Sequence, residues 1–359
     1  MGTKMTSRER VLTAFAHQEP DHVPAWLGAS PEFRQLAREH LGLPDDDSLS
    51  DYLGDDFRRV FARYAGPEEF GPYSNLQPGA TYRTPFGVER HGYGYGMPLT
   101  TPLANATTVA EIHDYPWPDP AWMDASHIRA EVGKYGGHYA ILGGDWSPFW
   151  HDAIDLLTME GLIYQMFDNP ELVDALLTHI VDYYAGVSQR IFDAAGAALG
   201  RIDIFFIGND FGGQTGPLIG DKLFRRFIVP HLKRLVDLGH GYGLKVLLHC
   251  CGGFVPLIPA MIEIGLDGVQ SLQPTCRGMD PARLKADFGD RMVLMGAVDT
   301  QLLIEGTPEQ ARAATRRVLD IMKPGGGYVC SPSHDYLLPE TPVENVIALY
   351  ETVRDYGDY

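Results

Sequence analysis

Eight short apolar segments rich in β-branched and aromatic residues recur along the chain, with helical patterns between several of them. They cover residues 22–28, 57–64, 139–145, 202–209, 245–249, 268–272, 292–298 and 328–331. Their apolar residues run on without alternating, as in strands buried on both faces, and such strands belong to parallel sheets with helices outside. Eight of these units predict a closed (β/α)8 TIM barrel. An open doubly wound sheet is the competing arrangement, but no Gly-rich dinucleotide fingerprint follows the first segment.

Helix boundaries follow from capping chemistry. Thr6 and Glu9 ahead of Val11 and Leu12 form a capping-box pattern, a better reading than the myristoylation pattern that Met1-Gly2 with Thr6 formally fits. A helix over 170–195 follows Asp168-Asn169, and one over 222–239 should kink or split at Pro230. Thr307-Pro308 and Thr341-Pro342 each set a capping residue before a proline at the first helical position. They predict helices over 308–322 and 342–356. Residues 65–138 are too many for a simple strand-to-helix connection. The alternating stretch 81–90 and the Gly-Tyr repeat at 92–96 read as an insertion after the second strand, carrying a small hairpin. It should lie over one end of a single barrel domain spanning 1–359.

Composition narrows the function. Apolar residues at 45% suffice for a large core, and 29 basic against 47 acidic residues leave a net charge of −18. Such a field repels nucleic acid and anionic membranes as main partners. The four cysteines, 250, 251, 276 and 330, cluster in the last third and do not resemble a secreted disulfide framework. Reduced thiols in a cytoplasmic enzyme are expected. There is no 18-residue apolar run to span a membrane and no signal-like apolar stretch at the start.

In a barrel, chemistry collects where strands end. Polar residues gather there: Asp145-Trp146-Ser147, then Asn209-Asp210 through Gln214, His249 with Cys251, Gln270 and Gln273, Asp299 and Gln301, and Cys330, Ser333, His334 and Asp335. His249 and Cys251, two apart on an extended strand, project to the same side just before Gly252-Gly253. An imidazole and a thiol so placed suit zinc. The preferred third ligand is His334, with Cys330 as the alternative. Cys250 should point the opposite way and be packed, and Cys276 has no assigned role. Asp210 is a base, a substrate anchor or a turn cap, and Asp299 can cap the following helix. Trp146, Tyr93 and Tyr95 are candidates to line a pocket.

Several stretches together resemble the uroporphyrinogen decarboxylase superfamily over nearly the whole chain. They are Asn209-Asp210-Phe211-Gly212-Gly213-Gln214, Leu248-His249-Cys250-Cys251-Gly252, Gly296-Ala297-Val298-Asp299-Thr300-Gln301, and Gly326-Gly327-Tyr328 with Ser331-Pro332-Ser333-His334 and Glu340-Thr341-Pro342. The resemblance implies a (β/α)8 barrel. True decarboxylases of the family carry an arginine-rich segment after the first strand. Here that place reads Trp26-Leu27-Gly28-Ala29-Ser30-Pro31, with no arginine before Arg34, so the cationic clamp for a polycarboxylated tetrapyrrole is missing.

The other branch comprises corrinoid-linked methyltransferases that bind zinc through His-x-Cys and a later Cys. His249 and Cys251 match the first two, and the later Cys falls at His334. The implied activity is zinc-assisted methyl transfer between a corrinoid on a partner protein and a small-molecule acceptor, a thiol or a folate. Asp210 and Gln214 would orient donor or acceptor, and Asp299 would support the ligands. Trp146, Asn209, Gln273 and Tyr336 would contact the substrate. A metal-free decarboxylase acting on a carboxylated substrate and a non-catalytic binding protein are the alternatives.

Overall fold

The computed structural model describes residues 4–71, 80–91, 96–196 and 202–359. Seven strands form one parallel sheet in chain order: β1 (Phe57–Arg59), β2 (Ala140–Gly143), β3 (Ile204–Gly208), β4 (Lys245–His249), β5 (Gly268–Leu272), β6 (Val293–Val298) and β7 (Tyr328–Pro332). The first predicted strand, 22–28, is an irregular stave between the two sheet edges. Trp26 N–H donates to the Cys330 carbonyl at 3.0 Å, Cys330 N–H to the Pro24 carbonyl at 2.8 Å, and Asp56 N–H to the Ala25 carbonyl at 2.9 Å. Pro24 has no N–H to offer, so a regular ladder cannot form there. The result is a distorted (β/α) barrel with seven regular strands. The second predicted strand also stops early. Beyond Arg59 the chain turns away, and Arg63–Tyr64 pairs antiparallel with Met123–Asp124.

Strand alternation separates two apolar layers. Leu142, Phe206, Leu247, Met295 and Val329 fill the barrel interior. Val246, Leu248, Leu294, Tyr328 and Cys330 face the helices outside. Each large apolar side chain buried this way contributes about 1.5–3 kcal/mol. Helix α1 (Ser7–Phe15) closes the end where strands begin, sending Val11 and Phe15 into the interior cluster. Its Thr6–Glu9 capping box is formed, and Arg8 N–H donates to the His138 carbonyl at 2.7 Å.

The long outer helix runs Pro170–Ala195 as expected, and Thr307 caps the helix Pro308–Met322. Around Pro230 the chain forms a short helix, a π-turn over Phe224–Ile228, and a second helix, Val229–Gly241. The split follows from the N–H that proline lacks. Thr341 does not cap. The last helix begins at Val343 after an extended Pro342, one residue too late, and among the described residues the buried Thr341 hydroxyl has no hydrogen-bond partner.

Within 65–138 the hairpin is a three-stranded antiparallel sheet of Thr81–Arg83, Glu89–His91 and Met97–Pro98. Arg90 fastens it by a buried ion pair to Asp155 in the helix Phe149–Leu157. Phe86 adds an edge-on contact with Tyr183 at 5.3 Å. Tyr93, Tyr95 and most of the Gly-Tyr repeat, like Met1-Gly2, lie outside the described residues. Among the described residues no helix is long and apolar enough to cross a membrane.

Candidate metal centre

β4 sends Leu247 inward and Leu248 outward, so alternation turns His249 towards the barrel mouth and Cys250 away from it. Cys250 is buried in the outer layer, where its sulfur accepts the Phe211 N–H at 3.3 Å and burial raises its pKa well above the usual thiol value. Cys251 returns to the side of His249, with Sγ 3.3 Å from Nε2. Asp210, two residues past β3, places Oδ1 3.3 Å from the same Nε2 and accepts the Cys251 N–H at 2.7 Å. One donor atom from each of Asp210, His249 and Cys251 lies within 4.8 Å of the others.

Two glycines make this convergence possible. The loops after β3 and β4 meet so closely that a Cβ on Gly252 would sit 2.4 Å from the Gly212 carbonyl carbon, and Gly252 has φ +83°. Gln273 fixes the second loop by accepting the Gly252 N–H at 2.9 Å. Gly252→Ala should therefore destabilise the protein by about 1–3 kcal/mol and weaken metal binding by displacing Cys251. Thermal melts and zinc titration of the variant check both.

His249 is oriented from behind. Its Nδ1 faces Gln270 Oε1 at 2.5 Å and Asp335 Oδ1 at 3.7 Å. Two acceptors there place the ring proton on Nδ1 and leave the Nε2 lone pair for the cluster. In a regular strand, Gln270 and Ser271 would point to opposite faces. A register shift between Gln270 and Leu272, with Ser271 at φ +82°, re-aims them. Ser271 Oγ thereby comes within 3.5 Å of Cys251 Sγ while donating to the Ser333 carbonyl at 2.8 Å.

The cluster is electrostatically coupled. Burial opposes charge on every member, and the neighbours of each work against that burial. Asp335 and Cys251 raise His249 well above the usual imidazole value, and Asp335 and Cys251 likewise lift His334 to about 10. His249 lowers the pKa of Cys251, and hydrogen bonds from His151 and His249 hold Asp210 far below the usual carboxylate range. Asp335 is lowered by the two histidines beside it. A dication displacing the protons held by His249 and Cys251 would meet a thiolate, a carboxylate and an imidazole lone pair converging on one point.

The spacing agrees. Zinc with donors at about 2.0–2.3 Å in tetrahedral geometry separates them by roughly 3.3–3.6 Å. Both measured separations from Nε2, to Sγ and to Oδ1, are 3.3 Å. The residues present fit the metal.

The remaining expected residues have varied positions. His334 stands beside Cys251 with its ring 6.0 Å from that of His249. Its Nδ1 is engaged by Asp335 at 3.2 Å and by the Tyr336 N–H at 3.1 Å. Among the described residues it does not join the tight group, whose third member is Asp210. Cys330, the alternative, is turned outward and fully buried, and burial pushes its thiol up to about 12. It belongs to the core.

Trp146 lines the mouth 5.2 Å from the His249 ring, in space left by Gly208, where a Cβ would sit 1.9 Å from the indole. Asn209 is fully buried, accepting the Trp150 N–H at 2.9 Å and donating to the Ser147 carbonyl at 3.0 Å. It braces a loop and offers a substrate nothing. Gln273, as described, holds the Gly252 loop. Gln214 is exposed in the turn between Gly212–Gly213 and Gly216–Pro217, where its carbonyl accepts the Arg277 N–H. Asp299 caps the helix Thr300–Glu305 through the Gln301 N–H. Among the described residues neither side chain hydrogen-bonds to the triad. The sequence puts Gln270 and Asp335 on the rim and assigns them no role. His151 is absent from the sequence expectations, yet its Nε2 lies 3.4 Å from Asp210 Oδ2. The one signal for it is a histidine in the first turn of the helix that follows β2.

Residues 102–356 match the family model described as uroporphyrinogen decarboxylase. A methylcobamide:CoM methyltransferase (MtbA) of Methanosarcina acetivorans is 23% identical over 65% of this chain and 63% of its own length. Its counterpart from Methanosarcina mazei is 22% identical over 62% of this chain and 60% of its own. The chain thus spans about three-fifths of the length of these methyltransferases. A uroporphyrinogen decarboxylase of Coxiella burnetii is 26% identical over 97% of this chain and 95% of its own length. In three dimensions the chain superposes on a methyltransferase from Methanosarcina mazei with a TM-score of 0.66, covering 98% and 99% of the two chains at 20% identity.

Proposed function

This chain belongs to the uroporphyrinogen decarboxylase family, and from that premise we propose that it is a zinc-assisted methyltransferase moving a methyl group from a corrinoid to a thiol. The observation that carries this reading is the convergence of Asp210, His249 and Cys251 at the barrel mouth with spacings suited to one ion. The activity for which the Methanosarcina relatives are named, methylcobamide:CoM methyltransferase, points the same way.

Asp210, His249 and Cys251 would hold the metal, and Gln270 and Asp335 keep the His249 proton on Nδ1 so that Nε2 faces it. Bound zinc would supply the Lewis acidity that keeps an acceptor thiol deprotonated at neutral pH. The acceptor sulfur attacks the methyl carbon. A carbon–sulfur bond forms, and the bond from that carbon to cobalt breaks with its electron pair going to cobalt. Trp146 walls one side of the mouth beside His249. A corrinoid-bearing partner protein and a small thiol are the implied ligands. A folate acceptor would leave the thiol-activating role of the metal unused.

The direct test is incubation with methylcobalamin and a panel of small thiols, following loss of the methyl-corrinoid absorbance. Transfer should be abolished by removing zinc and restored by adding it. Equal rates with and without zinc would overturn the reading.

The full-length match to uroporphyrinogen decarboxylase favours a second reading, metal-free decarboxylation. It requires cationic groups for the substrate carboxylates. Arg34, the first arginine after the 22–28 stave, instead donates to the Leu27 carbonyl at 3.0 Å. Release of carbon dioxide from uroporphyrinogen by metal-free protein would establish this reading in place of the first.

A further inference from the structure

We infer that His151 is a positioning residue that keeps Asp210 a one-oxygen ligand and so holds a coordination position open for the acceptor. The inference rests on the zinc reading above. The two oxygens of Asp210 have different surroundings. Oδ1 faces His249 Nε2 at 3.3 Å and accepts the Cys251 N–H at 2.7 Å, so it lies on the side of the metal ligands. Oδ2 faces His151 Nε2 at 3.4 Å. The attraction of the His151 imidazole for Oδ2 on that side draws this oxygen away from the ion.

Without such a partner, a carboxylate beside a dication can swing to bind through both oxygens. That would fill the position which catalytic zinc sites keep open. Outer hydrogen bonds of this kind orient metal ligands, and their loss typically weakens metal affinity about 10- to 100-fold.

The local fold delivers His151 to this place. β2 ends at Gly143, and the loop that follows carries Trp146 into the mouth and Ser147 at φ +54°. The helix Phe149–Leu157 then starts with Phe149 and Trp150 buried, so it is anchored on apolar side chains. Asn209, next to Asp210, accepts the Trp150 N–H at 2.9 Å. The segment bearing His151 is thereby tied directly to the segment bearing Asp210. The His151 side chain itself is 38% exposed. It makes no contribution to the core, so its replacement should leave the fold intact.

Cobalt(II) is the probe, because its visible spectrum reports both the thiolate ligand and the coordination number. Wild-type protein should bind about one cobalt per chain, with intense ligand-field bands of a four-coordinate ion and a sulfur charge-transfer band. In His151→Ala the charge-transfer band should persist, because Cys251 still binds. The ligand-field bands should weaken towards a five-coordinate pattern, and cobalt affinity should fall about 10- to 100-fold. His151→Gln, which retains an N–H donor, should recover much of both. A spectrum and affinity in His151→Ala identical to wild type would overturn the role of His151 while leaving the metal centre standing. Failure of wild-type protein to bind cobalt or zinc would overturn the metal centre itself. Should the alanine variant misfold, His151→Leu provides the same comparison.

Discussion

Replacing Cys251 by serine should remove zinc and methyl transfer together while leaving the fold intact. The exchange is nearly isosteric, and Cys251 sits in a loop past the end of β4 rather than in the core. What is lost is the thiolate. A serine hydroxyl cannot supply the soft anionic donor that zinc takes from cysteine. Structural zinc sites bind with about 10–16 kcal/mol shared among four ligands, so one ligand carries roughly 2.5–4 kcal/mol, or about 60- to 800-fold in affinity. The surroundings make Cys251 a strong contributor, since His249 beside it lowers its pKa despite burial. Zinc titration against a competing chelator gives the affinity, and the methyl-corrinoid assay gives the activity. A variant that keeps wild-type turnover without metal would remove the zinc from the mechanism.

The largest expected effect on stability lies elsewhere, at Arg90. Its side chain and that of Asp155 are 7% and 9% exposed, and their ion pair joins the inserted hairpin to the helix Phe149–Leu157. Arg90 also donates to the Gly96 carbonyl at 3.4 Å. Arg90→Met would leave the Asp155 carboxylate buried without its cation, a change that costs about 3–5 kcal/mol. Removing both charges, in Arg90→Met with Asp155→Leu, should recover most of that loss, because no uncompensated charge remains. Denaturant midpoints of the two variants measure the difference. A single variant within about 1 kcal/mol of wild type would show that the pair does not fasten the insertion.

Most of the barrel was legible because its strands are buried on both faces. Segments 245–249 and 268–272 of the sequence reading coincide with β4 and β5, and the others differ by a few residues at their ends. The exceptions have local causes. In the stave at 22–28 a proline removes a ladder donor. Beyond Arg59 the chain leaves the sheet to begin the insertion, although its composition stays β-like. Thr341 reads as a cap until the extended Pro342 is seen to delay the helix by one residue.

The centre was only partly legible. His249 and Cys251 share a face, so their convergence follows from parity, whereas Asp210, two residues past the neighbouring strand, reads from sequence as a base, an anchor or a turn cap rather than a ligand. Parity also excludes Cys330. It alternates with the inward Val329 and accompanies the outward Tyr328, a relation the spacing already contained. Gln270 and Asp335 required more, because an irregular residue at Ser271 re-aims one and a loop conformation sets the other. His151 required the packing of a helix turn against a different strand end, which no periodicity encodes.

The most direct test of the central claim is the metal content of wild-type protein purified without chelators or a metal-binding tag, measured beside Cys251→Ser. Close to one zinc per wild-type chain and almost none in the variant is the expected result. No zinc in the wild-type protein, even after incubation with the ion, would contradict it.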